Sequence, residues 1–83
     1  MIQKTTTDSL QTSDFLTASI LHYHGHTLEA LDKNNPEKII FHFLRNEKTD
    51  NVLESFHKGE LSVEPQKMAG IQKHLKSRLF TDL

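Results

Sequence analysis

The chain of 83 residues predicts a single α+β domain, a three-stranded sheet with helices packed mainly on one face. Three observations carry this. The segment EPQKMAGIQKHLKSRLF repeats apolar residues at helical steps, and KIIFHFL alternates like a strand. Gly25 and Gly59 each follow a shorter helical run, where a residue free to adopt positive φ can end a helix. The expected order is helix, strand, strand, helix, strand, helix.

Residues 1–11 are polar and threonine-rich and read as a flexible tail, so the domain is expected over 12–83. The first helix is expected at 13–24. Thr12 or Ser13 can accept from a free amide of the first turn, and Asp14 suits the positive end of the helix dipole. Its apolar stripe is Leu16, Ile20 and Tyr23, with Phe15, Ala18, Ser19 and His22 beside it.

A hairpin follows, with strands near 27–32 and 38–44 around the turn-forming DKNNPE. The second strand is apolar at nearly every position and is expected at the centre of the sheet. Leu31 falls on the wrong face of a regular strand and leaves the register open. Thr49 or Asp50 would start a helix over 50–58, with Val52, Leu53 and Phe56 inward. ELSV would form the third strand. In the last helix Pro65 fits the first turn, and Met68, Ile71, Leu75 and Leu79 form the buried stripe.

Composition narrows the function classes. A chain this short buries only about 60–65% of its unfolded surface, which favours oligomerisation. The absence of cysteine removes disulfides, thiolate metal sites and thiol nucleophiles. No apolar run approaches the roughly 18–20 residues of a membrane span, and MIQKTTTDSL lacks the apolar core of a signal peptide, so a cytoplasmic location is expected. A formal net charge of -1 supplies no global attraction to nucleic acid or anionic membrane.

Three of the six histidines lie in LHYHGH: His22, His24 and His26. They are the candidate metal ligands, and His22 and His26 have the i, i+4 spacing of a helical ligand pair. Gly25 should separate them, however, and no carboxylate lies within the stretch. The plainer account is that His22 and His24 complement a helix C-terminus and His26 opens the next strand, fixing that corner by bonding a local carbonyl. His42 can be a partly buried imidazole or a base at the floor of a groove. His57 and His74 belong to helix surfaces.

Nucleic acid is the alternative ligand. The last helix carries Lys67, Lys73, Lys76 and Arg78, of which Lys73 and Lys76 share a face. Phe41 and Phe43 have the spacing of base-stacking platforms, but with so few aromatics available core packing is the expected role. No nucleophile elbow or phosphate-cradling loop is present, and Glu29 and Asp32 read as solvated carboxylates. No catalytic residue, metal or cofactor is assigned.

The segments TSDFLTASILHYHGH, KIIFHF, LESFHKG and LKSRLF resemble a small bacterial and phage family described only as a domain of unknown function. Thr12, Asp14, Gly25 and His26 match its first helix and corner. Phe41, Phe43, Phe56, Gly59, Leu75, Lys76, Ser77 and Leu79 match the remainder. The chain departs at Thr17-Ala18-Ser19, where small apolar residues are usual. The resemblance implies an α+β domain, often encoded near mobile elements, and carries over no activity. The expected function is a non-enzymatic binding or accessory module acting through protein–protein contacts, including homo-oligomers formed through an edge strand or helix face.

Overall fold

The aromatic strand expected at 38–44 is the centre of the sheet. In the computed structural model, which describes residues 9–81, the elements are β1 (Ser9–Thr12), α1 (Phe15–Tyr23), β2 (Leu28–Asp32), β3 (Ile40–Leu44), α2 (Glu47–His57) and α3 (Pro65–Thr81). The three strands are ordered β1-β3-β2. Both outer strands run antiparallel to β3, so they are parallel to each other, with α1 crossing between them.

The third strand therefore precedes α1, and the expected strand at ELSV does not form. In β1, Leu10 lies opposite Phe43 and Thr12 opposite Phe41, so its half-buried positions extend the apolar face of β3. Leu61 and Val63 are half-buried in the connection from α2 to α3 without joining the sheet. The expected tail is corrected accordingly: Ser9 to Gln11 belong to the sheet, while residues 1–8 lie outside the described ones.

A bulge resolves the register of β2. Leu28 is opposite Phe43 and Ala30 is opposite His42, which leaves Glu29 as the extra residue. One added residue shifts the alternation, so Leu28 and Leu31 reach the same face. Leu31 then lies opposite Phe41 and packs against the core.

The capping residues also differ from expectation. Asp14, not Thr12 or Ser13, caps α1, accepting from the Thr17 amide at 3.0 Å and the Thr17 hydroxyl at 2.6 Å. Thr12 instead accepts from the Asp14 amide. The buried positions of α1 are Ala18, Ser19, Ile20 and Leu21, while Leu16 is exposed, so the inward stripe is rotated from the expected one. Small Ala18 and Ser19 let the helix approach its neighbours closely. The Ser19 hydroxyl is satisfied by the Phe15 carbonyl at 2.8 Å.

Asn46 starts α2 three residues earlier than expected. Its side chain accepts from the Thr49 amide, and the Thr49 hydroxyl accepts in return from the Asn46 amide, a reciprocal capping box. Gly25 and Gly59 end α1 and α2 as expected, with φ of +86° and +74°.

The core is formed by Ala18, Leu21, Leu28, Phe41, Phe43 and Leu75. Val52 and Leu53 of α2 and Ile71 and Leu79 of α3 pack on it, so all three helices serve one sheet face. Each large apolar side chain buried here contributes about 1.5–3 kcal/mol. Among the described residues, no helix is long and apolar enough to cross a membrane.

Candidate functional site

The histidine stretch lies where α1 ends. The His24 amide donates to the Ile20 carbonyl and the His26 amide to the Leu21 carbonyl, closing the corner around Gly25. The backbone of His26 thus shapes the turn, a task any non-proline residue could perform. The expected side-chain role at that corner is not what holds it.

The three imidazoles take different partners. His22 stacks on His74 of α3, with ring centroids 5.6 Å apart and planes 10° from parallel. His24 meets the Tyr23 ring edge-on at 5.1 Å. His26 is half-buried at the lead into β2. Among the described residues, no three histidine or carboxylate side chains converge as metal ligands.

Electrostatics separate them further. Burial pushes the His22 pKa down, the His26 main chain opposes this, and His74 and Arg78 reinforce it. Its buried Nδ1 has no hydrogen-bond partner. His26 is also held below its ordinary value, first by burial and then by His24 and Lys48. These surroundings favour neutral imidazoles at the helix end.

The basic residues of α3 do not form one stripe. Lys67 lies over the Tyr23 ring at 4.5 Å from its centroid, and Lys76 over the Phe15 ring at 5.8 Å. At 3.6 residues per turn, Lys67 and Arg78 project within about 20° of each other, while Lys76 points about 180° from Lys67. Arg78 is half-buried beside His22, and Lys73 is exposed on the back of the helix. The two faces that would bind phosphates are therefore separated.

Phe41 and Phe43 are 2% and 0% exposed, which makes them core residues and not stacking platforms. His42 projects from the opposite sheet face. It lines an open hollow of about 470 Å³ with Ser9, Ala30, Glu29 and Asp32. Asp32 accepts from the Asn34 amide and so helps form the β2–β3 turn.

One apolar surface was not anticipated from sequence. At the C-terminal end of α3, Leu79 and Phe80 adjoin Pro36 and Ile39 of the β2–β3 turn around a hollow of about 400 Å³. Phe80 is 73% exposed. Leu79 and Ile39 also line a neighbouring hollow, floored by Phe15 and Phe41 and edged by Glu37 and Lys38. The two hollows adjoin, sharing those two side chains, and are taken together as one groove.

One ion-to-carbonyl contact fixes the groove. The Lys33 ammonium donates to the Leu79 carbonyl at 2.7 Å, joining turn and helix across 46 residues of sequence. A cation is favoured there because the carbonyls at a helix C-terminus carry partial negative charge. The available sequence signal was weak: Phe80 lies about 100° round the helix from Leu79, off the buried stripe, and Ile39 reads as part of the strand's alternation with Phe41 and Phe43.

Fold and groove together define a small α+β domain whose sheet face lined by His42 and whose apolar helix end are distinct surfaces. Residues 7–81 match the family model of the domain of unknown function DUF5659, and the chain belongs to that family. No curated protein and no solved structure matches it.

Proposed function

We propose that this domain is a cytoplasmic, non-enzymatic binding module that acts through protein–protein contacts at the groove between the β2–β3 turn and the end of α3. The observation that carries this reading is Phe80, a large apolar side chain 73% exposed beside half-buried Ile39 and Leu79. Isolated exposed apolar residues are ordinary, but one continuous with an apolar groove favours occupation by another chain. The divided cations of α3 lend nucleic-acid binding less support, and the three histidines lend metal binding less still. A homodimer through an edge strand, and a coding location near mobile elements, remain finer proposals within the same reading.

A photo-crosslinking amino acid at position 80, with position 73 on the exposed back of α3 as control, tests the proposal in cells of the source organism. The expected result is a protein adduct from position 80 and none from position 73. A nuclease-sensitive adduct, or no adduct at position 80, would overturn it.

A further inference from the structure

Resting on that reading, we propose that the groove takes an acidic amphipathic segment of another protein. Apolar side chains of the segment would enter between Ile39, Leu79 and Phe80, and its carboxylates would meet Lys33, Lys38 and Lys76. The charge around the groove selects this occupant. Lys33 lines the outer hollow, Lys38 lines the inner one, and Lys76 lies above the Phe15 ring that forms part of the inner floor. Among the described residues, Glu37 is the one carboxylate that lines the inner hollow, and none lines the outer one.

The lysines retain capacity for a ligand. Lys33 bonds the Leu79 carbonyl, yet an ammonium has three donors, so its charge and two donors remain for a carboxylate. Lys38 is exposed on the turn, where its side chain can close over a bound segment. Two adjoining hollows provide two places for apolar anchors, the pattern by which an amphipathic segment seats along a groove.

A second copy of the chain is a poorer occupant. A symmetric contact brings together two rims in which Lys33, Lys38 and Lys76 outnumber Glu37 among the described residues, and like net charge in close opposition weakens association. Nucleic acid is also disfavoured, because phosphates would satisfy the lysines but leave the apolar floor uncovered. An acidic amphipathic segment matches both the rim and the floor.

The test uses the full chain and three fluorescein-labelled peptides that share a leucine pattern at i, i+3, i+4 and i+7. Their flanking positions are glutamate in one, glutamine in the second and lysine in the third. Fluorescence anisotropy should show saturable binding of the glutamate peptide, weakened by added salt, and at least about tenfold weaker binding of the other two. Lys38→Glu and Phe80→Ser should each weaken the glutamate peptide by about tenfold. Both positions are exposed, and circular dichroism should show both variants folded.

Amide chemical shifts on titration should move around Ile39, Leu79 and Phe80. Equal affinity for all three peptides would overturn the acidic partner while leaving an apolar docking groove intact. Failure of the glutamate peptide to bind would overturn the inference, and a protein crosslink from position 80 would still uphold the broader reading. Self-association abolished by Phe80→Ser would assign the groove to a second copy and overturn it. Displacement of the same shifts by duplex DNA or RNA would also overturn it.

Discussion

The two ends of α3 solve opposite problems. At its start, the Glu64 carboxylate accepts from the Gln66 and Lys67 amides, and the Glu64 amide donates to the Tyr23 hydroxyl. Lys67 then covers the Tyr23 ring. Polar groups here find partners inside the molecule. At the other end, Lys33 satisfies one carbonyl while Phe80 remains exposed. The first end anchors α3 to α1, and the second leaves apolar surface that the fold does not use. Internal satisfaction is a structural role, whereas an unused apolar surface directs attention to a partner.

The sharpest challenge is to the side chain that supports both ends. Leu75 is 1% exposed and lies in the core between them. Leu75→Ala should cost about 2–5 kcal/mol in urea unfolding, through lost burial and the cavity left behind. If the two ends share one cooperative unit, contacts at Tyr23 and at Lys33 should be lost in the same transition. Separate transitions, followed by amide exchange at each end, would break the comparison.

A smaller loss is expected at the anchored end alone. Glu64→Ala removes the acceptor for two first-turn amides and should cost about 0.5–2 kcal/mol, as lost helix caps do. The groove is at the other end of the helix, so binding there should persist. Equal damage to peptide binding would show that the ends are not independent.

Acidification sharpens the comparison because it acts on the α1–α3 seam and not on the groove. The folded-state pKa of His22 is depressed, chiefly by burial. The unfolded chain therefore takes up a proton first, near the ordinary histidine pKa of about 6.5. The contribution of this group to stability is fully present above that pH and declines as pH falls through it, until the folded state is also protonated. His26 changes in the same direction. Urea midpoints measured across this range should fall with pH, and His22→Asn should flatten the fall. An unchanged slope in that variant would remove His22 as a cause.

The legible part of the fold was local or strongly periodic. Gly25 and Gly59 could be assigned because their positive φ values are local requirements, and Met68, Ile71, Leu75 and Leu79 because a helix repeats. β1 was missed since Leu10 is its one apolar side chain, and its assignment depends on pairing with a strand some thirty residues away. The Glu29 bulge was signalled by Leu31 but could be placed only against β3. Asn46 was passed over as a cap because Thr49 and Asp50 are equally apt by residue type. The candidate surface was less legible still. Ile39 and Phe80 are 41 positions apart, and they meet only through tertiary contacts such as the Lys33 link between turn and helix, which local sequence does not reveal.

The smallest expected stability effect tests the groove most directly. Phe80 is largely exposed, so Phe80→Ser removes little burial and should change unfolding free energy by no more than about 0.5 kcal/mol. Leu79, one position earlier, packs against the core, and Leu79→Ser should destabilise clearly because it buries a hydroxyl in place of an apolar group. Neighbouring residues on one helix turn would then differ in stability cost, a separation that urea midpoints resolve. If Phe80→Ser proves as costly as Leu79→Ser, the aromatic ring supports the fold, and the two ends of α3 share one structural purpose. If it is nearly neutral, the ring has no role in holding the domain together, which leaves recognition of another chain as its best physical account.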